Sequence, residues 1–341
     1  MRAWMYHGNK DIRLEEVPDP VPGPGEVSVE IAYNGICGSD LHEYFDGPLF
    51  TPIEHRHPTT HHLGPVILGH EASGTVAALG DGVTDLAVGD RVVIEPIVRQ
   101  KGDDNAYNLD ASFYGLMTNG FLADRAVVTR TALHSLPPEV DLAAGALAEP
   151  LAVAWHAANK TRLEPGDAAV VFGGGPIGIG SALSLRALGT ERILVVEPSQ
   201  QRRKILEHLG VLTVDPTTDD YRSQLSAFTG PGVKACIDAA GVPSAVHDSI
   251  ESLAPGGQLV VVAGHVAPVT IELNRLLLSE RSIVTSMGYR NDFPDVLKYM
   301  ASGAFPTESW VETIEFENLA EGIDRLKSGE AVKVLVEVAG K

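Results

Sequence analysis

Residues 168–178 have the sequence AAVVFGGGPIG. The five apolar residues at the start predict a buried β-strand, and the glycines after them predict a loop that opens a helix. Gly173, Gly175 and Gly178 have the spacing G-x-G-x-x-G, which forms a dinucleotide site when it joins a strand to a helix in this way. The segment therefore predicts a dinucleotide-binding loop, with a glycine-rich turn that binds no ligand as the alternative.

The residues of this loop have separate roles in such a site. Gly173 permits a tight turn, Gly175 lets the backbone approach a pyrophosphate, and Gly178 allows the helix to pack closely on the sheet. The helix is predicted to begin at Gly178, directly after Pro176 and Ile177, and its N-terminus supplies free N–H groups and a partial positive charge for the phosphates.

The next predicted strand, residues 192–197, ends in the acidic residue Glu197. A carboxylate about 20 residues after the glycines accepts a hydrogen bond from the 2′-hydroxyl of the adenosine ribose and repels a 2′-phosphate. Glu197 therefore favours NAD over NADP, with a surface glutamate as the alternative. Arg202 is a further candidate to bind the cofactor; with Arg203 it could contact a phosphate or belong to a solvated helix face.

The surrounding sequence predicts two domains, as a chain of 341 residues favours. Strands alternate with helices after residue 167, which indicates a parallel, doubly wound sheet. Short alternating or β-branched runs before residue 147 indicate a β-rich domain, and a strand at 332–338 could rejoin it. We predict an α/β protein with residues 148–287 as the coenzyme domain and residues 1–147 with 288–341 as the catalytic domain.

Composition narrows the class of function. The formal net charge of -19 disfavours partners that carry phosphate backbones or anionic lipid, so we expect no nucleic acid and no membrane. No apolar run is long enough to span a bilayer, and the N-terminus lacks the pattern of a secretory signal. The two cysteines, Cys37 and Cys236, do not provide a disulfide framework. We expect a cytoplasmic enzyme.

Three further segments carry side chains that suit zinc. Cys37 lies in GICGSDLH (35–42), His70 in GHEASG (69–74) and Glu149 in AEP (148–150). A thiolate, an imidazole and a carboxylate can hold zinc and leave a fourth position for water or an alcohol. Spacing alone does not establish that they converge: Cys37 could be a free thiol, and His70 could form a salt bridge in a loop.

These segments resemble the zinc-containing medium-chain dehydrogenase/reductase family. The pattern G-H-E-x-x-G-x-x-x-x-x-G is complete over residues 69–80, and G-x-C-G-S-D-x-H is complete over 35–42. The likeness is greatest to 2,3-butanediol and sorbitol dehydrogenases, through LHEYFDGP (41–48) and EPLAVAWH (149–156). The resemblance implies a GroES-like β-rich catalytic domain followed by a Rossmann doubly wound coenzyme domain.

The resemblance also implies roles for single residues. Cys37, His70 and Glu149 would hold one catalytic Zn²⁺, with Glu71 as an alternate ligand or a support behind the ligands, and Asp40 would orient His70.

The same resemblance implies a route for the proton. Ser39 would accept it from the substrate hydroxyl, and the NAD ribose and His42 would relay it to solvent.

One departure from the family concerns a second zinc. Most zinc members have four cysteines in a lobe after a Glu-Pro-Ile strand, whereas residues 98–105 here contain none, and Asp110 stands where a cysteine might be expected. A site of four thiolates cannot form with two cysteines, so we predict one zinc per chain and no structural zinc.

The predicted function is an NAD- and zinc-dependent oxidoreductase of small secondary alcohols or vicinal diols, with 2,3-butanediol and acetoin favoured. Polyols and L-threonine remain open as substrates, because pocket shape is not visible in the sequence. A zinc-free quinone or enoyl reductase and a non-catalytic NAD(H)-binding protein are the alternatives. The resemblance implies a homodimer or homotetramer. The histidine-rich stretch 55–62 could bind adventitious metal or form a solvated loop lining the substrate site.

Overall fold

The computed structural model describes residues 1–98, 112–164 and 166–339. The chain divides into two compact units. Unit 1 comprises Met1–Glu149, Phe293–Ala301 and Trp310–Lys341, and unit 2 comprises Pro150–Asp292 and Ser302–Ser309. The domain limits given above, with breaks after 147 and 287, stay a prediction.

The described residues form these strands: β1 Arg2–Gly8, β2 Asp11–Glu16, β3 Glu26–Gly35, β4 Val66–Ile67, β5 Glu71–Leu79, β6 Arg91–Ile94, β7 Ile97–Val98, β8 Ser112–Phe113, β9 Arg125–Thr129, β10 Leu133–Ser135, β11 Ala168–Phe172, β12 Arg192–Val196, β13 Leu212–Val214, β14 Val233–Asp238, β15 Leu253–Val261, β16 Ser282–Thr285, β17 Val311–Glu315 and β18 Lys333–Glu337. The α-helices are α1 Gly38–Asp46, α2 Leu142–Gly145, α3 Ala148–Lys160, α4 Pro176–Ala187, α5 Gln200–His208, α6 Tyr221–Thr229, α7 Pro243–Ser252, α8 Leu273–Leu277, α9 Phe293–Ala301 and α10 Leu319–Ser328.

Unit 1 is built on a mainly antiparallel sheet with the strand order β10-β6-β5-β3-β18-β17, in which β9 also pairs with β3. The apolar side chains of β3, among them Val27, Val29 and Ile31, are completely buried in its core. The C-terminal strand β18 runs antiparallel to β3, with Leu335 opposite Gly35. The last strand therefore rejoins the first domain, and it places Lys333 beside the chain that leaves β3.

Unit 2 contains a six-stranded sheet with the order β13-β12-β11-β14-β15-β16, and every neighbouring pair is parallel. The chain starts in the middle at β11, adds β12 and β13 on one side, and then adds β14 to β16 on the other. A crevice opens at the carboxyl ends of β11 and β14, where the direction of winding reverses. The predicted α/β class, with a doubly wound parallel sheet, is confirmed.

The local predictions differ from the structure mainly at helix boundaries. The predicted strand at 168–172 coincides with β11, whereas α4 begins at Pro176, two residues before the predicted start. Proline suits this first helical position because it has no N–H, and an N–H there would have no partner within the helix. Residues 142–160 contain two helices, α2 and α3, and Pro150 lies in the first turn of α3. No helix in the described part of the chain combines the length and apolar character that crossing a membrane requires.

Candidate active site

Strand pairing in unit 1 brings three potential metal ligands together. Gly35, the last residue of β3, lies opposite Glu71, the first residue of β5. Cys37 follows β3 by two residues and His70 directly precedes β5, so the antiparallel register places both beside Glu71. The ligand atoms of Cys37, His70 and Glu71 all lie within 4.8 Å of one another. Within the described residues, this is the one group of three such side chains that could hold a metal ion.

Asp40 fixes the geometry of this cluster from the buried face of α1. Its Oδ1 lies 3.5 Å from Nδ1 of His70, and its Oδ2 accepts a 2.9 Å hydrogen bond from the backbone N–H of Cys37. Oδ1 also accepts from the N–H of Gly69. Nε2 of His70 therefore faces the cluster, where the Ser39 hydroxyl lies 3.1 Å away.

The electrostatic environment of the cluster favours a cation. Burial lowers the pKa of His70, but Asp40 and Cys37 more than offset that effect, so its pKa lies well above the usual value. This shift shows how much negative charge surrounds the imidazole. A thiol, an imidazole and a carboxylate are also the donor types that bind zinc, so these residues fit the metal.

Glu149 lies outside the group of three but belongs to the same electrostatic system. It is 8% exposed and stands in the first turn of α3. Burial raises its pKa to about 7; His70 lowers it, and Glu71 raises it. The roles of Glu149 as the third ligand and of Glu71 as an alternate stay predictions.

A buried lysine that was not predicted from the sequence contacts the same cluster. Lys333, at the start of β18, is 2% exposed, forms an ion pair with Glu71, and donates a 2.9 Å hydrogen bond to the carbonyl of Ile36. Burial lowers its pKa, but Glu71 and Cys37 raise it, so the net pKa lies above its usual value. The only sequence signal was one charge at the edge of an apolar strand, a position where lysines are usually solvated.

The two predicted proton-transfer residues, Ser39 and His42, both lie on α1. Ser39 is half-buried against His70, as described above. His42 is exposed, and its Nδ1 lies 3.3 Å from Oδ2 of Asp46. Among the hydrogen bonds of the described residues, none joins Ser39 to His42.

The glycine loop of unit 2 has the steric demands of a dinucleotide site. Gly173 has φ +101°, and a Cβ there would meet the backbone of Ala239 and Ala240 at 2.9–3.0 Å. A Cβ at Gly178 would collide with the carbonyl of Gly173, whereas at Gly175 the nearest atom would be the Arg202 guanidinium at 3.9 Å. The loop is therefore tightly packed at Gly173 and Gly178, and it is open at Gly175, where a pyrophosphate would approach. Its open side leads into the first turn of α4, which contains Pro176 and Ile177.

Glu197 connects this loop to the strand beside it. It is 3% exposed; Oε2 accepts a hydrogen bond from the N–H of Gly174 at 2.6 Å, and Oε1 accepts from the N–H of Ser199 at 2.7 Å. A cavity of about 500 Å³ is lined by Gly175, Glu197 and Arg202 among others. Since each carboxylate oxygen has a second lone pair, Glu197 can still accept from a ribose hydroxyl. The buried cradle and its cavity fit a dinucleotide.

The histidine-rich stretch 55–62 forms local hydrogen bonds. Nδ1 of His57 accepts from the N–H groups of Thr59 and Thr60, and Nε2 of His62 donates to the carbonyl of Pro65. These histidines therefore organise their own turn. Asp110 lies outside the described residues.

Comparison with known proteins identifies the family. Residues 23–138 match the alcohol dehydrogenase GroES-like domain, and residues 176–302 match the zinc-binding dehydrogenase domain. An (R,R)-butanediol dehydrogenase from Bacillus subtilis (strain 168) is 40% identical over 343 aligned positions, covering 98% of this chain and 99% of that protein. The chain belongs to the zinc-binding dehydrogenase family. Its predicted resemblance to that family is thereby confirmed.

Further members of the zinc-binding dehydrogenase family agree with this assignment. A sorbitol dehydrogenase from Bombyx mori is 31% identical and covers 98% of each chain. The crystal structure of 2R,3R-butanediol dehydrogenase from Bacillus subtilis superposes with a TM-score of 0.95 at 39% identity, covering 99% of both chains. The predicted GroES-like and Rossmann architecture is confirmed, and the chain is an oxidoreductase of CH–OH groups that uses zinc and a nicotinamide cofactor.

Proposed function

We propose that this zinc-binding dehydrogenase transfers hydride between NAD and a small secondary alcohol or vicinal diol, with 2,3-butanediol and acetoin as the substrate pair. The observation that carries the proposal is the buried cluster of Cys37, His70 and Glu71, whose donor atoms lie within 4.8 Å. The substrate class follows from the butanediol dehydrogenase that is 40% identical over nearly the whole chain.

The residues divide the work as follows. Cys37 and His70, with Glu149 or Glu71, would hold the metal, and Asp40 contacts Nδ1 of His70 so that Nε2 is left for it. When bound, zinc supplies Lewis-acid polarisation of an alcohol oxygen, and nicotinamide supplies a hydride acceptor. The Ser39 hydroxyl, 3.1 Å from Nε2 of His70, takes up the substrate proton as it releases its own proton toward His42. The exposed His42 exchanges protons with water.

NAD is the proposed dinucleotide because Glu197 is buried at the site of the adenosine ribose. Its carboxylate would repel a 2′-phosphate while still accepting from a 2′-hydroxyl. Gly173, Gly175 and Gly178, with Pro176 and Ile177, form the pyrophosphate loop. Arg202 lines the same cavity and completes the set of predicted cofactor residues.

The decisive experiment measures reduction of NAD and of NADP by 2,3-butanediol, before and after removal of metal with a chelator. We expect activity with NAD that disappears on chelation and returns with zinc. Elemental analysis should find one zinc per chain, because Cys37 and Cys236 are the only cysteines. Activity that is indifferent to the chelator would support a zinc-free reductase instead, and its absence under all conditions would support a non-catalytic NAD(H)-binding role.

Two alternatives within the enzyme class remain testable in the same assay. Faster turnover of a polyol such as sorbitol, or of L-threonine, than of 2,3-butanediol would reassign the substrate and leave the metal and cofactor roles in place.

We further propose a cytoplasmic homodimer or homotetramer. Among the described strands, β16 pairs only with β15, which leaves an edge of the sheet open. Leu273, Leu277 and Leu278 of the same region are 74%, 73% and 86% exposed. Light scattering of the purified protein tests the oligomeric state.

A further inference from the structure

A buried acidic residue links the ends of two strands in unit 2. Asp238, the last residue of β14, is completely buried. Its Oδ1 accepts hydrogen bonds from the N–H groups of Ala240 and Gly241, and its Oδ2 lies 2.7 Å from Nε2 of His265. One carboxylate therefore fixes the turn after β14 and an imidazole that follows β15.

This contact determines which nitrogen of His265 carries the proton. An ionised carboxylate only accepts, so Nε2 donates to Asp238, and in the neutral imidazole Nδ1 is left as an acceptor. Nδ1 of His265 is buried, and no donor among the described residues forms a hydrogen bond with it. A buried acceptor without a donor is unfavourable in the isolated chain. Such an atom is a candidate to be completed by a bound molecule.

The pair lies next to the pyrophosphate loop. A Cβ on Gly173 would meet the backbone of Ala239 and Ala240, so the loop after β11 packs directly on the turn that Asp238 holds. That turn packs in the same way on the end of β15, because a Cβ on Gly241 would meet the carbonyl of Gly264. His265 is the next residue after Gly264. Two direct backbone contacts therefore connect the pyrophosphate loop to His265.

The direction of the dinucleotide follows from the sheet. A dinucleotide lies along the carboxyl edge of such a sheet and crosses the point where the winding reverses, here between β11 and β14. Glu197 marks the adenosine end beside β12. The other half of the molecule then extends over the ends of β14 and β15, where Asp238 and His265 lie.

We propose that Nδ1 of His265 accepts a hydrogen bond from the carboxamide N–H of the nicotinamide, and that Asp238 is the positioning residue that holds the imidazole in the required tautomer. The carboxamide is the group of that ring that offers N–H donors, so an acceptor is the complement it needs. This inference rests on the proposed function, because it assumes that NAD is the ligand.

The test compares three ligands by isothermal titration calorimetry in wild type and in His265→Gln. Glutamine keeps an amide N–H that can donate to Asp238 and removes the acceptor at the Nδ1 position. The ligands are NAD, its 3-acetylpyridine analogue, which lacks the carboxamide N–H groups, and ADP-ribose, which lacks the nicotinamide. His247→Gln is the matched control, because His247 lies in the same unit and its Nε2 donates to the carbonyl of Thr270 at the surface.

We expect His265→Gln to weaken NAD binding roughly tenfold, the size of one hydrogen bond. Affinity for ADP-ribose should stay within about twofold, which is negligible beside one hydrogen bond, and the preference of wild type for NAD over its analogue should disappear. His247→Gln should change none of these affinities.

Three outcomes would overturn the proposal. Equal losses for NAD and ADP-ribose would mean that His265 acts only by ordering the turn. Unchanged affinity for NAD would mean that His265 makes no contact with the ring, as would a preference for NAD that survives in His265→Gln. Failure of the wild type to bind ADP-ribose is a different result, since it would refute the dinucleotide site itself and with it the proposed function.

Discussion

Substitution of Lys333 by methionine should strongly destabilise the metal-free protein. The ammonium group is 2% exposed and pairs with Glu71, which has no exposed surface. Methionine retains most of the apolar volume of the side chain but leaves the carboxylate of Glu71 buried without its counter-charge. Removal of one partner of a buried ion pair costs about 3–5 kcal/mol. The lost hydrogen bond to the carbonyl of Ile36 is part of that cost.

A double-mutant cycle isolates the cost of leaving the charge of Glu71 uncompensated. Glu71→Gln in the Lys333→Met background removes the uncompensated charge, so the double variant should recover about 2 kcal/mol or more relative to Lys333→Met. The free energy of unfolding is measured by urea titration in the presence of a chelator. Trp4 and Trp310 report the unfolding of unit 1, which contains both.

The same titration with saturating zinc gives a second check. A divalent cation held by Cys37 and His70 supplies positive charge beside Glu71, so the deficit of Lys333→Met relative to wild type should shrink. A loss below about 1 kcal/mol in the metal-free protein, the scale of an exposed ion pair, would refute the reasoning. So would a double variant that is no more stable than Lys333→Met alone.

Three further changes test other parts of the structure. Asp40→Asn should weaken zinc binding about 10- to 100-fold in a competition titration, because it removes the charge that orients His70; unchanged affinity would show that Asp40 serves only the backbone. Gly178→Ala should weaken ADP-ribose binding by about tenfold or more, measured by calorimetry, because its Cβ collides with the loop carbonyl; wild-type affinity would contradict the packing described. Glu43→Gln should cost about 2 kcal/mol on urea unfolding and speed proteolysis of the loop at 49–51, because this buried carboxylate accepts from the backbone N–H groups of Leu49, Phe50 and Thr51. Unchanged cleavage would show that the loop is held by other contacts.

Most of the Rossmann half of the fold could be predicted from the sequence, because the patterns that indicate it are local. The apolar run before Gly173 and the glycine spacing act over a few residues, and β11, α4 and β12 form within about two residues of their predicted positions. The pairing of β18 with β3 was only suggested, because nothing in either strand encodes its partner across 300 residues of chain. Register between distant strands depends on packing of the whole sheet.

The candidate site shows the same difference between local motifs, which could be predicted, and contacts between distant strands, which could not. Cys37 and His70 could be named because the motifs around them are specific to a family. The assignment of Glu149 as third ligand, with Glu71 as the alternate, came from the resemblance and stays a prediction. The nearness of Glu71 to the other two could not be foreseen, because only the β3–β5 register places it within 4.8 Å of them. Lys333 was missed because its role depends entirely on a partner strand.

Helix α1 does not follow the usual amphipathic pattern, in which the buried face of a helix is apolar. Its two buried residues are Asp40 and Glu43, three positions apart and therefore on one face. An ordinary surface helix would turn such carboxylates toward water, because burial of a charge is costly. Here each one accepts several N–H groups: Asp40 those of Cys37 and Gly69, and Glu43 those of the loop that follows. One helix face thus holds His70 and the neighbouring loop in place, and the cost of burial is offset by hydrogen bonds that the sequence alone does not reveal.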